Sequence, residues 1–336
     1  MNNNEKKEFV VEKNYNDRID IFLVKRIHEI SRNKLQELIK SGDVLVNGNK
    51  VKPSYKIKEG DKIKIVLTTK TQKFFIKINI RVYIIYEDEC LLAVNKEPGI
   101  VSHPAGRYRE NTLIQGVYNY FEEKGVLDKL ITPIFKPTLI HRLDKDTSGV
   151  ILIAKTLECY YALQKQFMQR VIYKEYWAIV EGDVKFDSDL IEKKIDKSKT
   201  HFAKMTAGNY GKESQTIYKV QERFKNFTLV SAIPRTGRTH QIRVHLASIG
   251  YPVLCDSVYG RRKMLYEWQL KNFGREKSSS ANLSCQYFNQ PPLIARQALH
   301  AKKIEFKHPL TSNPICLDAQ LPVDFKQTLE CLRKIK

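Results

Sequence analysis

No apolar run in the 336 residues approaches the twenty or so needed to span a bilayer. The opening segment Met1-Asn2-Asn3-Asn4-Glu5-Lys6-Lys7 has no apolar core behind its charges, so neither a membrane anchor nor a signal peptide is expected. The six cysteines, at 90, 159, 255, 285, 316 and 331, form no C-x-x-C pair and no zinc spacing; they read as scattered reduced thiols and place the protein in the cytoplasm. A Gly-x-Gly-x-x-Gly or Walker-type loop is missing, which removes the usual nucleotide-cofactor signatures. Acidic residues are scarce beside basic ones: 37 Asp and Glu against 58 Lys and Arg, for a net charge of +21. That imbalance favours a polyanionic partner. With 42% hydrophobic residues, the chain has material for an ordinary core and about two domains.

What is present is concentrated in one stretch. His141-Arg142-Leu143-Asp144-Lys145-Asp146-Thr147-Ser148-Gly149 runs into Val150-Ile151-Leu152-Ile153-Ala154, which reads as a strand buried on both faces, and Pro137-Thr138-Leu139-Ile140 reads as a short strand on the other side. The spacing of Asp144, Asp146 and Ser148 resembles the start of an EF-hand loop, but Lys155 stands where that loop needs a bidentate Glu, so calcium is rejected. Two carboxylates so close suggest an acid and nucleophile pair, with Arg142 and Lys145 keeping at least one ionised. On the residues alone, a salt-bridged turn competes with that reading.

The nonapeptide resembles the signature of the RluA-type pseudouridine synthases, whose essential aspartate falls on Asp144. Two more motifs follow in order. Arg170-Val171-Ile172-Tyr173-Lys174-Glu175-Tyr176-Trp177-Ala178-Ile179-Val180-Glu181-Gly182 resembles the segment with the active-site tyrosine, here Tyr176. Pro234-Arg235-Thr236-Gly237-Arg238-Thr239-His240-Gln241-Ile242-Arg243-Val244-His245-Leu246 resembles the segment whose basic residue pairs with the aspartate, here Arg243. Lys96-Glu97-Pro98-Gly99-Ile100-Val101-Ser102-His103-Pro104-Ala105 is similar to the family's first turn, with Glu97 where alanine or proline is usual; His103 reads as structural or RNA-facing. Gln297-Ala298-Leu299-His300-Ala301 and Phe306-Lys307-His308-Pro309 resemble its closing segments.

The N-terminal part is organised separately. Ile19, Phe22, Leu23, Ile27 and Ile30 recur at helical spacing; Ser31 caps a second helix with Leu35, Leu38 and Ile39 that stops at Gly42. Val44-Leu45-Val46-Asn47-Gly48-Asn49-Lys50-Val51 reads as a hairpin, and residues 61 to 67 as a closing strand. This unit resembles the RNA-binding domain first seen in a small-subunit ribosomal protein, with Arg32, Lys34, Lys40, Lys50 and Lys52 as candidate phosphate contacts. The expected organisation is a flexible tail at 1–14, a small αL-type RNA-binding domain at 15–69, a linker at 70–81 and a catalytic domain at 82–336. Residues 261 to 292 read as a flexible polar insertion. The fold class is α+β, the catalytic domain having a central mixed, mainly antiparallel β-sheet flanked by helices.

The resemblance implies isomerisation of uridine in RNA to pseudouridine. A uridine inside folded RNA has to be extruded, and Arg142 is placed to fill the vacated stack. Asp144 starts glycosidic cleavage, as nucleophile or base, with Arg243 favouring its ionised form. Tyr176 stacks on the uracil and is placed to take the proton from carbon five. His141, Lys174, Arg238 and His240 are the remaining candidates for holding substrate. No cofactor and no metal are implied, since the reaction is an isomerisation, and His240 and His245 do not share a helix face well enough for a metal pair. The expected partner is RNA, ribosomal before transfer RNA, free or within a pre-ribosomal large subunit, met by a monomer with no membrane association. A non-catalytic ribosome-assembly factor would share the charge but would have no reason to keep Asp144, Tyr176 and Arg243 together. A nucleoside hydrolase would need no RNA-binding module.

Overall fold

The computed structural model describes residues 5–27, 30, 32–67, 80–106, 108–132, 135–198, 200–201, 204–271 and 290–335. The chain divides into two compact units, one of Met1–Ile78, Tyr118–Pro137 and Lys155–Leu157, the other of Asn79–Val117, Thr138–Ala154 and Glu158–Lys336. The first unit therefore takes in more of the chain than the expected 15–69. Most of the expected linker and of the polar insertion, and the Ser31 cap, lie outside the described residues.

In the first unit, β1 (Glu5–Val10), α1 (Ile19–Arg26), α2 (Arg32–Ser41), β2 (Val44–Val46), β3 (Asn49–Lys50) and β4 (Lys62–Leu67) build an antiparallel sheet in the order β1-β4-β2-β3 beside two helices. The expected frayed tail is corrected at 5–10: this charged segment pairs with β4 from Glu5↔Leu67 to Val10↔Lys62, and Val11 just beyond it is buried. Its charges fall on both faces of a strand whose partner lies more than fifty residues downstream, which local composition does not reveal. Helix α1 ends a turn earlier than the apolar spacing suggests, but Ile27 and Ile30 still enter the core with Phe22, Leu35 and Ile39. Helix α2 closes in a Schellman motif: Gly42, at φ +86°, donates its N–H to the Ile39 carbonyl, and Asp43 donates to Leu38. Asn47 and Gly48, both at positive φ, make the turn between β2 and β3.

The second unit holds β5 (Tyr83–Glu87), β6 (Leu91–Lys96), β7 (Thr138–Leu139), β8 (Ser148–Ala154), α5 (Leu157–Met168), β9 (Tyr173–Glu181), β10 (Ser188–Glu192), β11 (Lys194–Lys197), β12 (Met205–Gly208), β13 (Gln215–Phe224), β14 (Phe227–Pro234), α6 (Gln241–Ser248), α7 (Glu267–Lys271), β15 (Leu299–Lys307), β16 (Pro314–Asp318) and α8 (Val323–Lys334). Between β6 and β7 in the sequence come α3 (Leu113–Glu123) and α4 (Leu127–Leu130). The fold is α+β. Its ten-stranded sheet runs β10-β13-β14-β9-β15-β8-β6-β5, with β16 on β15 and β7 on β8. Every described pairing in it is antiparallel except β15 with β8, which run parallel through His300↔Ser148 and Ala301↔Gly149.

Strand β8 is the centre of this arrangement, and all seven of its residues are buried. Each of its large apolar side chains contributes about 1.5–3 kcal/mol by leaving water. Elsewhere the sheet is covered by Ile242 and Leu246 of α6, Leu270 of α7, and Phe325, Leu329 and Leu332 of α8, which pack with Ala178, Val180, Leu229 and Val230. The expected insertion is thus partly core: Leu265 bridges Ile294, and both Leu265 and Leu270 are buried.

Candidate active site

The loop before β8 is held before any catalytic group is considered. Lys96, at the end of β6 and 1% exposed, donates from Nζ to the carbonyls of Glu97, Ile100 and Lys145. Burial pushes its amine down to about 7, yet three carbonyls in range match the three donors of an ammonium. Ser102 Oγ donates to the Leu143 carbonyl, Arg296 Nη1 donates to the Asp146 carbonyl, and Gln297 donates to Thr147 Oγ1. Gly149 sits at φ +117°, and a Cβ there would lie 2.2 Å from the Ala301 carbonyl oxygen. Only glycine lets β8 approach β15 at this point.

Asp144 leaves this clamped loop with its side chain about one-third exposed and meets Arg243, whose Nη1 donates to Oδ2 at 2.8 Å. Arg243 stands in the first turn of α6 and is itself 5% exposed. A guanidinium so deeply placed needs its own counter-charge. Asp256 supplies it, accepting from Nε at 2.6 Å and from Nη2 at 2.8 Å. Burial works against the Arg243 charge, and the bonds and charge of Asp256 outweigh it; burial likewise opposes the Asp256 carboxylate, which Arg243 and the amides of Val258 and Tyr259 hold low.

His240 precedes α6 in the left-handed region at φ +55°. Met205 donates its amide to the Tyr259 hydroxyl, so that hydroxyl's own proton is free for Nδ1 of His240 at 3.0 Å. Nε2, on the other side of the ring, faces Asp144 at 3.8 Å. Burial, more than any neighbouring charge, lowers the pKa of this ring. The Tyr259 ring also lies 5.3 Å from the Arg243 guanidinium, a cation–π distance.

Tyr176 enters the same pocket from β9, on the face it shares with Lys174. Burial first, then the Asp144 charge, raise its phenol's pKa, so it is neutral at ordinary pH. Burial lowers the Lys174 amine, helped by the nearby charge of Arg170. The structure thus gathers Asp144, Tyr176, Arg243, Arg142, Lys174, Arg238 and His240 around one pocket, with Thr147 and Leu299 completing its wall.

His141 is not part of it: its ring accepts the Leu152 amide at 3.1 Å and is held neutral by burial, with its pKa pushed down to about 3. This bond ties the loop to β8. His103 is exposed and outside the pocket wall. In the first unit Arg32, Lys34, Lys40, Lys50 and Lys52 are all exposed, but they differ. Arg32 is tied to the buried Asp20 at 3.0 Å, Lys34 pairs with Glu37 at 3.4 Å, and Lys50 reaches the Ser41 carbonyl.

Asp256 and Arg296 escaped the reading of the sequence, while Lys96 and Gln297 stood in family-like segments without a role of their own. Each acts through a partner at least thirteen residues away. One cluster among the described residues has metal-ligand chemistry, Asp88, Cys90 and His308. It is a hydrogen-bond network: Asp88 Oδ1 accepts the amides of Cys90 and Leu91, Nδ1 of His308 accepts the Thr311 amide, and its Nε2–H points at Asp88 Oδ2 at 2.8 Å.

Comparison with known proteins agrees with this geometry. Residues 90–248 match the RNA pseudouridylate synthase model and residues 17–63 the S4 domain. The uncharacterized RNA pseudouridine synthase YlyB of Bacillus subtilis (strain 168) is 34% identical over 96% of both chains. Ribosomal large subunit pseudouridine synthase D of Buchnera aphidicola subsp. Schizaphis graminum (strain Sg) is 36% identical over 94% of each. Among solved structures, human RNA pseudouridylate synthase domain containing 4 superposes with a TM-score of 0.55 at 25% identity, covering 75% of this chain and 93% of that one. With a carboxylate, a buried arginine and a neutral tyrosine converging on one pocket, and relatives matched along nearly its whole length, this chain belongs to the RNA pseudouridylate synthase family.

Proposed function

We propose that the protein converts specific uridines of large-subunit ribosomal RNA to pseudouridine in the cytoplasm, working as a monomer. The observation that carries the chemistry is the 2.8 Å contact of Arg243 with Asp144 inside a pocket that Tyr176 also lines. Asp144 starts cleavage of the glycosidic bond, and Arg243 holds its carboxylate in one orientation. Tyr176 packs on the detached uracil, and its neutral phenol relays the proton from carbon five, taking it as its own hydroxyl proton passes to a base such as the Asp144 carboxylate. Arg142, exposed at the pocket mouth, fills the space left by the extruded base. Support for the ribosomal substrate comes from relatives named as ribosomal large subunit pseudouridine synthases C and D, at 31–36% identity over at least 94% of this chain. The S4 domain adds affinity for phosphates through its exposed lysines.

The test is pseudouridine mapping over total RNA from cells with the gene intact, deleted, or carrying Asp144→Asn. Loss of the same large-subunit ribosomal sites in both altered strains is the expected result. Loss confined to transfer RNA keeps the chemistry and overturns the substrate. Retention of every site, together with an inactive purified protein, overturns both.

A further inference from the structure

The active pocket opens onto a second, wider groove with which it shares Lys174, Pro234, Thr236, Gly237 and Arg238. The far wall of this groove is the corner where α5 gives way to β9, and its floor is the face of β13. Of the seventeen residues lining it, five are cationic, Arg170, Lys174, Lys219, Arg235 and Arg238, and none is acidic. Arg170, Lys219 and Arg235 are exposed and make no ion pair among the described residues. The corner also displays apolar surface to water: Met168 is 74% exposed and Val171 62%. Arg170, between them, holds φ at +57°, a conformation that turns the chain so that all three residues belong to one corner.

Unpaired cations with no opposing carboxylate are a footprint for phosphate, and exposed apolar side chains beside them are a platform for bases. A protein partner would bring its own apolar anchor to such a corner. The absence of any acidic group along the lining, and its continuity with the pocket that takes a nucleotide, select a nucleic acid strand instead. We infer that this groove holds the unpaired nucleotides on one side of the target uridine, with Arg170, Lys219 and Arg235 on their phosphates and Met168 and Val171 against a base. The inference rests on the reading of the pocket as a uridine-isomerising site. It adds that selection among uridines depends on whether neighbouring nucleotides can lie as single strand in this groove.

Two measurements on the full-length protein test it. In the first, Arg170→Gln, Lys219→Gln and Arg235→Gln are combined, and steady-state pseudouridine formation is followed at varied concentrations of a ribosomal RNA fragment across a salt series. The expected result is a KM raised at least 30-fold, a smaller change in rate at saturating RNA, and a salt slope shallower by about 2, three contacts at about 0.7 each. In the second, Val171 is replaced by p-benzoylphenylalanine and irradiated with the same fragment; the expected adduct lies within two nucleotides of the modified uridine. An active wild type combined with an unchanged KM and salt slope in the triple variant, or with adducts only at distant positions, overturns the inference alone. A wild type that forms no pseudouridine in any RNA overturns the reading of the pocket and the inference with it.

Discussion

Arg243 and Asp256 meet along two parallel hydrogen bonds, Nε to Oδ2 at 2.6 Å and Nη2 to Oδ1 at 2.8 Å, so only Nη1 is turned toward Asp144. The guanidinium is aimed by the carboxylate behind it. Asp256→Asn keeps the shape but removes the charge. Removing one partner of a buried pair costs about 3–5 kcal/mol, and a loosened aim lowers the rate roughly 100-fold. Urea unfolding and single-turnover kinetics read the two effects separately. Unchanged kinetics would show that Asp256 only balances charge.

Tyr176 is set against the pocket as a neutral phenol. Tyr176→Phe preserves a ring for stacking and removes the hydroxyl, so RNA affinity stays near the wild type while the chemical step slows by about 10²- to 10⁴-fold. Release of label from carbon five of the uracil follows that step directly. A Phe variant with wild-type rate assigns Tyr176 to packing alone.

Gly149 cannot accept a side chain: the added carbon meets the Ala301 backbone at 2.2 Å and the residue's φ is +117°. Gly149→Ala combines backbone strain with a forced separation of β8 from β15, at a cost of roughly 3 kcal/mol or more. Thermal melting checks this. A wild-type melting temperature would mean that the two strands separate freely.

Two histidines make stability depend on acid. His300 is fully buried, with Nδ1 against Ser148 Oγ and Nε2 against the Ala319 carbonyl, and burial pushes its pKa down to about 4; the His141 ring is pushed to about 3. Both are bases whose folded pKa lies below the unfolded value near 6.5. Their contribution is therefore complete above pH 6.5 and is lost as pH falls from there toward 4 and 3, about 3 kcal/mol for His300 when fully developed. His300→Asn should flatten the fall in unfolding free energy between pH 6.5 and 4.5; an equally steep fall would assign that slope to other groups.

Among the five basic candidates of the first unit, Lys40 and Lys52 are exposed and have no partner among the described residues, whereas Arg32 is held by Asp20. Lys40→Gln with Lys52→Gln should weaken RNA binding several-fold and make its salt slope shallower by about 1.4–1.8, while Arg32→Gln should chiefly lower stability by removing one of the partners of the buried Asp20, which Arg18 and Gln36 still hold. Filter binding across a salt series and melting curves separate the two. Equal losses of RNA affinity from both changes would put Arg32 on phosphate as well.

The pairing of Asp144 with Arg243 was legible only through the resemblance of their two motifs to a family in which these positions pair; on the residues alone a salt-bridged turn competed with it. The hairpin at Asn47-Gly48 and the stop at Gly42 were legible because both depend on backbone conformations that few residues adopt. Asp256 was not, because a single carboxylate following Leu254 and Cys255 carries no local sign that an arginine thirteen residues earlier will need it. His141 misled for the opposite reason. Adjacency to the catalytic loop suggested a shared pocket, but the loop turns its ring onto the Leu152 amide. The strand at 5–10 was hidden by its lysines and glutamates, whose place is decided by pairing with β4 rather than by their own polarity.

The parallel contact of β15 with β8 sets when the enzyme can exist. Gln297 reaches Thr147, Arg296 reaches the Asp146 carbonyl and His300 reaches Ser148 across separations of about 150 residues. On a ribosome adding 5–20 residues per second, the catalytic loop waits roughly 8–30 s for the strand that clamps it. A nascent chain that already carries its RNA-binding domain and Asp144 thus has no finished pocket. Competence to modify RNA arrives only once Arg296, Gln297 and His300 have been made and can reach the loop.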